Sequence, residues 1–361
     1  MSRTVATEKS RRSSRRPVHG SGAALKRAHP VLAALAAACA LALAACSSTA
    51  PASRAPSPEA TVAASASVPV LPGEAWIVFQ WGAPCAPEPS DSDTICLARP
   101  DGTGAHPLPL TTPGEGKHPD WSPDGAQVTF ALNDSIWIAG VDGADARSVR
   151  TCEGNCDFPA WSPDGKQIAY TRTIGPAIAN GPPSSSAIEI VDVDSGEITV
   201  VMTTERLQLA DQPRWSPGGD TLVIQLEQFK DDGSEIGASI AILPAKAGST
   251  PKAITDPTLF GTYPDWNPTT DEIVFTTHEY DPSGAPVRLF TVRTDGSRLK
   301  ELVYAGSDGE RSSHPSWTPD GKQVLFVQMN TRTAALVNAD GTGLVLIGGI
   351  SATHPRLRPT P

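Results

Sequence analysis

The sequence predicts an all-β fold, and within that class a six-bladed β-propeller. Three observations predict it. A short frame recurs six times along the chain. Alternating strands and turn residues follow each good copy. The first and last segments each supply part of one incomplete unit.

The frame reads His118-Pro-Asp-Trp-Ser-Pro-Asp-Gly125, Phe158-Pro-Ala-Trp-Ser-Pro-Asp-Gly165 and Gln212-Pro-Arg-Trp-Ser-Pro-Gly-Gly219 in its first three copies. It continues as Tyr263-Pro-Asp-Trp-Asn-Pro-Thr-Thr270 and His314-Pro-Ser-Trp-Thr-Pro-Asp-Gly321, and ends in a worn copy, His354-Pro-Arg-Leu-Arg-Pro-Thr-Pro361. Successive copies start 40, 54, 51, 51 and 40 residues apart, a period that suits propeller blades. Pro-Asp-Gly suits a tight turn, because Pro presets φ, Asp bonds the backbone beside it and Gly accepts a positive φ.

Segments such as "QVTFA", "QIAYT" and "QVLFV" follow the turn and alternate with period two. A third strand comes next ("SIWIAGV", "AIEIVDV"), then a second turn such as Val141-Asp-Gly, and a short fourth strand such as "RSVR" or "LVLIG". Four strands make one blade. Ala75–Trp81 reads as a second strand with no first strand before it, and His354–Pro359 as a first strand with none after it. Together they are expected to complete a sixth blade and leave no open edge. Trp121, Trp161, Trp215, Trp266 and Trp317 are expected to pack between blades.

Three regions follow from composition. Residues 1–45 hold a basic stretch and then an uncharged Ala/Leu-rich run, Val31–Ala45, too short to span a bilayer and suited to a signal-peptide core. It ends in Leu43-Ala44-Ala45-Cys46, which resembles the lipobox of bacterial lipoproteins; that resemblance implies a lipid, palmitate included, on Cys46. Residues 46–73 are a Pro/Ala/Ser tether with no hydrophobic period, expected to be disordered and to reach about 25–30 Å. Residues 74–361 are the propeller.

The chain has 29 Lys+Arg and 39 Asp+Glu. Residues 1–45 hold eight of the former and one of the latter, which leaves 21 against 38, a net charge of −17. Such a surface repels phosphates and argues against nucleic acid as a partner. Membrane attachment would then come through the lipid. Four cysteines remain after Cys46, an even number that suggests disulfides in an exported chain. Nearest-neighbour pairing, Cys85–Cys96 and Cys152–Cys156, is the expectation. Cys-x3-Cys without a nearby His is a poor zinc pattern.

The repeated Pro-x-Trp-Ser-Pro-Asp-Gly turn resembles that of the TolB-type, WD40-like β-propeller family, over about Ala75–Pro361. The resemblance implies the fold and an exported protein. TolB carries an α/β domain ahead of its propeller, where this chain has the tether. Related propellers gate prolyl-oligopeptidase-type peptidases, but no G-x-S-x-G elbow occurs here. No phosphate loop or His-Glu-x-x-His motif occurs either, and "DDGSE" (Asp231–Glu235) reads as a hairpin turn, not a calcium loop.

The residues opening the six frames fall near one end of the channel. His118, His314 and His354 lie in successive blades and are a candidate site for a divalent metal, with Gln212 or Tyr263 across the mouth. No carboxylate is apparent at that level. The main expectation is a monomeric, non-enzymatic lipoprotein of the cell envelope that presents its propeller to a protein or glycan. Candidate contact loops are Pro84–Asp93, Ile174–Ser186, Phe229–Glu235 and His278–Pro286. The alternative is a metal-dependent, lyase-like carbohydrate-active enzyme using the three histidines, since some propeller lyases acting on acidic sugars use His-rich metal sites.

Overall fold

Each copy of the frame folds into the innermost strand and first turn of a four-stranded antiparallel sheet. The structure is a computed structural model that describes residues 69–71, 73–80, 85, 94–177, 183–279 and 285–360. The signal segment, Cys46, most of the tether, Trp81 and most of Pro84–Asp93 lie outside the described residues.

Blade 1 contains β1 (Ile77–Gln80), β2 (Ile95–Ala98), β3 (His106–Pro107) and the last strand, β24 (Thr353–Leu357). Blade 2 is β4 (Lys117–Trp121), β5 (Gln127–Leu132), β6 (Ser135–Gly140) and β7 (Arg147–Thr151). Blade 3 is β8 (Cys156–Trp161), β9 (Gln167–Ala177), β10 (Pro183–Asp192) and β11 (Ile198–Thr203). Blade 4 is β12 (Gln208–Trp215), β13 (Thr221–Phe229), β14 (Glu235–Pro244) and β15 (Lys252–Ala253). Blade 5 is β16 (Thr262–Trp266), β17 (Glu272–Thr277), β18 (Arg288–Arg293) and β19 (Lys300–Glu301). Blade 6 is β20 (Ser312–Trp317), β21 (Gln323–Gln328), β22 (Thr333–Asn338) and β23 (Val345–Ser351).

Blade 1 has the order β24-β1-β2-β3, so strands from opposite ends of the domain pair, with Ile77 opposite Leu357 and Val78 opposite Arg356. The ring closes as the sequence predicts. Its core lies between blades. Trp121 packs with Trp76 and Val78 of blade 1, and Trp215 with Ala160 and Ile188 of blade 3. Trp161 packs with Ile136 and Ile138 of blade 2, and Trp317 with Val274 of blade 5. Trp266 packs against Ile240 and Phe275. The indole N–H of Trp121 donates to the Arg356 carbonyl at 3.0 Å and that of Trp215 to the Ala160 carbonyl at 3.0 Å, both across blade boundaries.

The frame's turn forms as its residues dictate. Asp124 accepts from the Ser122 hydroxyl at 2.6 Å and the Ala126 N–H at 2.9 Å, and Gly125 sits at φ 66°. The Cβ that a larger residue would carry at Gly125 falls 2.6 Å from the Pro359 carbonyl oxygen. Both expected disulfides are present, Cys85–Cys96 and Cys152–Cys156, with Cα–Cα distances of 6.0 and 5.8 Å. One expectation is corrected: Ile174–Ser186 is not simply a loop. β9 and β10 run on through it, with Ser185 opposite Ile174 and Pro183 opposite Ala177, so the insertion lengthens a hairpin.

Ending the chain after Ala352 removes β24 and the acceptor of the Trp121 indole. Blade 1 then loses its innermost strand and the ring opens. The expected outcome is a fall in melting temperature of about 10 °C or more, measured by circular dichroism on the full-length and shortened chains.

Candidate functional site

The channel is organised by one backbone device used six times. Lys117 pairs with Ala131 and Asp120 with Thr129, so β4 carries one residue more than β5 between the pairs. The same one-residue bulge occurs in β8, β12, β16, β20 and β24. The bulged residue is His118, Phe158, Gln212, Tyr263, His314 or His354, and each has φ between 49° and 53°. Such φ values are uncommon for side-chain-bearing residues. Proline follows every one. It has no N–H to lose from the ladder and disfavours the right-handed helical region for the residue before it.

Four of these bulges have their N–H bonded by a side chain. Gln80 accepts from His118 N at 3.0 Å and Gln225 from Tyr263 N at 3.3 Å. Asp157 accepts from Phe158 N at 3.0 Å and Asp211 from Gln212 N at 2.8 Å.

The device brings five of the six side chains into ring-to-ring contact. His118 stacks on Phe158 at 3.7 Å between centroids and lies edge-on to His354 at 4.4 Å. His354 lies edge-on to His314 at 4.2 Å, and Tyr263 sits 4.2 Å from His314. The three histidines are therefore together, as expected. Tyr263 stands beside them, not across a mouth. The plug leaves a cavity of only about 10 Å³, roughly the space of one water. Nδ1 of His314 and both ring nitrogens of His354 are buried without a hydrogen-bond partner among the described residues. Among those residues, no three His, Cys, Asp or Glu side chains are placed to take one metal ion.

Carboxylates do reach this level, contrary to expectation. Asp157 contacts the His118 ring, and Asp211 accepts from the Thr171 hydroxyl at 2.7 Å. Burial pushes the Asp211 carboxyl up to about 7, with the charge of Asp157 adding to it. Burial also works to raise Asp157, but His118 and the hydrogen bonds of Phe158 and Asn155 hold it below the usual range. Burial pulls the His314 imidazole down to about 3, and pulls His354 well below its ordinary value.

One step further along the axis stands a set of charges that single-residue motif reasoning missed. The third frame positions read Asp120, Ala160, Arg214, Asp265, Ser316, Arg356, which is Asp–small–Arg written twice. The signal was present in the six aligned frames. The two halves are not equally closed. Arg356 Nη1 donates to Asp265 Oδ1 at 2.6 Å. Arg214 Nη1 stands 3.6 Å from Asp120 Oδ2, beyond hydrogen-bond reach, and Arg214 Nε is 3.9 Å from Asp265 Oδ1. Asp120 and Asp265 also accept the backbone N–H of Trp161 at 3.0 Å and Trp317 at 2.7 Å in the following blades. Burial lowers Arg214 to about 10, with Arg356 adding to the effect; burial raises Asp120 against the pull of both arginines.

Beyond these charges the channel widens into a mouth of about 340 Å³. Its wall includes Trp121, Trp161, Trp215, Trp266 and Trp317 and one proline from every blade, among them Pro123 and Pro359. The segment that leads into β1 arrives on this turn face. Arg358 donates to the Leu71 carbonyl at 2.7 Å and to the Gly125 carbonyl at 2.7 Å. The opposite face carries the second-to-third-strand connections, including the long hairpins of blades 3 and 4, and the Cys152–Cys156 disulfide between blades 2 and 3.

Ring, bulges and plugged axis define a closed six-bladed propeller. The family model described as TolB beta propeller domain matches residues 135–359, more than half of the chain. The chain belongs to the TolB β-propeller family. Among solved structures it is similar to TolB from Acinetobacter baumannii, with a TM-score of 0.57 and 18% identity, covering 78% of this chain and 66% of that one. It thus spans just under two thirds of that protein. It is similar also to a TolB from Agrobacterium tumefaciens, with a TM-score of 0.54, 17% identity and coverage of 76% and 87%. A nidogen/laminin complex structure gives 0.55, 11% identity and coverage of 79% and 99%. Likeness at these identities extends to the fold. No curated protein sequence matches the chain.

The axis makes stability depend on pH in two opposed ways. The folded-state value of His314 lies below its unfolded value, so its contribution is present above about pH 6.5 and is lost as pH falls towards 3. That of Asp211 lies above its unfolded value, so its contribution is present below about pH 4 and is lost as pH rises through 7. Urea unfolding at several pH values measures both. His314→Phe is expected to flatten the acid limb by about 1.4 kcal/mol per pH unit, and Asp211→Asn the limb between pH 4 and 7.

Proposed function

We propose that the chain is a non-enzymatic cell-envelope lipoprotein that presents its propeller to a protein or glycan partner. One observation carries the reading: the two faces differ. The turn face receives the chain from the tether and holds tight, repeated turns. The other face carries the extended hairpins, on the side of the ring opposite Leu71. In a chain held by a lipid on Cys46, that face would be the one presented outward. A closed ring anchors the base of such hairpins.

The chemistry of the partner follows from charge. The outward face exposes Glu115, Asp134, Glu153, Glu205, Asp231, Asp232 and Asp308. Its exposed cations among the described residues are fewer, Arg206, Lys230, Arg311 and Arg332, and Arg206 is already paired to Asp231 at 2.7 Å. A partner with a basic contact surface fits, and its association would weaken with salt.

Photo-crosslinking in intact cells tests this. A photoreactive residue in place of Ser234, on the blade 4 hairpin, is expected to capture one discrete partner. The same residue in place of Asp164, on the turn face, is expected not to capture it. Cys46→Ala is expected to shift the chain out of the membrane fraction and abolish the crosslink. Equal capture from both faces would remove the support for an outward docking face.

The metal-dependent reading keeps one favouring observation, the unpartnered ring nitrogens of His314 and His354. Against it, the imidazoles pack on one another and on Phe158 and Tyr263, with about 10 Å³ between them. Elemental mass spectrometry on the untagged protein separates the readings. Less than a tenth of an equivalent of any transition metal is expected. About one equivalent, lost in a His118→Ala/His314→Ala/His354→Ala variant, would turn the reading to the enzyme.

A further inference from the structure

The turn-face mouth carries an inference independent of the docking face. Its two Asp–small–Arg halves are chemically equivalent but differently closed. In one half the guanidinium of Arg356 donates to Asp265 at 2.6 Å, and Asp265 accepts the Trp317 N–H with its other oxygen. Both oxygens of that carboxylate are engaged.

In the other half, Arg214 and Asp120 face each other at 3.6 Å without a hydrogen bond. Arg214 is only 8% exposed, yet among the described residues it donates one hydrogen bond, from Nη1 to the Pro159 carbonyl at 3.3 Å. A guanidinium has five N–H donors, so most of its capacity is unspent. Asp120 accepts the Trp161 N–H with Oδ2, while its Oδ1 lies 4.0 Å from Arg356 Nε and accepts no hydrogen bond from the described residues. Both side chains line the mouth. A third group stands in the same wall: the indole N–H of Trp161, 7% exposed overall, is buried without a partner.

An open cation–anion pair of this kind is matched by a ligand carrying one of each charge. A bare anion would meet Arg214 but also Asp120 and Asp265; a bare cation would meet the two arginines. The surrounding wall is tryptophan and proline, and the mouth measures about 340 Å³, within the range of small-ligand pockets. We infer that the mouth binds a small zwitterion with an apolar side chain, of the free α-amino acid class. Its carboxylate is held by Arg214 and its ammonium by Asp120 Oδ1. Its side chain lies against the tryptophan and proline rim.

Five indoles in the wall make tryptophan fluorescence the readout, with calorimetry on the same purified full-length chain. The probes are L-phenylalanine and L-leucine, N-acetyl-L-phenylalanine (carboxylate only) and L-phenylalaninamide (ammonium only). At least one zwitterion is expected to bind saturably, and both blocked forms to bind about tenfold or more weakly. Asp120→Asn and Arg214→Gln are expected to weaken the zwitterion by a similar factor, with melting curves showing that each variant is folded. The ligand panel on the unaltered protein decides the matter should Arg214→Gln fail to fold. No saturable binding of either zwitterion up to about 10 mM overturns the inference. Equal binding of either blocked form overturns it too, as does unchanged binding in a folded Asp120→Asn variant.

Discussion

Everything along the axis depends on the residue that opens each innermost strand in a left-handed conformation. Six times, a side-chain-bearing residue takes a φ near 50° and is followed by proline. The bulge inserts one residue into the strand, and the bulged side chains of five blades meet as a single aromatic and imidazole plug. Residues in sparsely populated backbone regions cost of order 1–3 kcal/mol each and persist only where the surroundings over-determine them. Here they are over-determined by the proline, by ladder pairing on both sides and by side chains that bond the freed N–H. Gln80 and Gln225 serve two bulges from the blade before; Asp157 and Asp211 serve two from the adjacent position. The buried carboxylates are thereby explained as parts of the backbone device, and their altered acidity is a consequence of where the bulge must be bonded.

The charges behind the plug do a different task. Asp120 and Asp265 each reach into the next blade to accept a tryptophan backbone N–H, and each lies near both Arg214 of blade 4 and Arg356 of blade 1. Buried ion pairs seldom add much net stability, because desolvation offsets the attraction. Their value lies in specificity. A displacement of blade 1 or blade 5 in register would leave Arg356 or Asp265 unpaired, which costs far more than the correct pair contributes. The tryptophans supply the burial and the Asp–Arg set supplies the order. Two indoles, Trp161 and Trp317, give up a hydrogen bond in blades where the backbone N–H is taken by aspartate. The same alternation thus governs the polar contacts of both the charge set and the tryptophans.

The fold was legible because its signals are local and repeated. Pro-Asp-Gly makes its own turn, alternation makes its own strand, and the split blade followed from an end strand lacking a partner at each terminus. The disulfides were legible because each pair lies close in sequence. The axis was only partly legible. The convergence of His118, His314 and His354 follows from equivalent positions in successive blades, which the spacing reveals. How their rings meet does not, since that depends on a bulge set by pairing with the next strand. Asp157 and Asp211 were missed because they precede the frame and belong to no motif. Asp120, Arg214, Asp265 and Arg356 sit inside the frame, but their meaning appears only when the six copies are compared as a ring and not as a list. Ile174–Ser186 is rich in Pro, Gly and Ser, which favour turns; the extended pairing of β9 with β10 outweighs that local preference.

A plugged channel separates the two faces of the ring. The bulged side chains pack on one another and leave beside them a void of about 10 Å³, roughly the space of one water. Nothing bound on one face can touch the other directly, and any coupling must travel through the blades. Their strands are paired within each blade, and tryptophans fill the seams between blades. The hairpins and the mouth therefore lie on opposite faces of one closed ring. A ligand at the mouth would raise the stability of the ring by mass action. That separation follows from the bulge: the side chains that share the axis of the ring are the same ones that fill it.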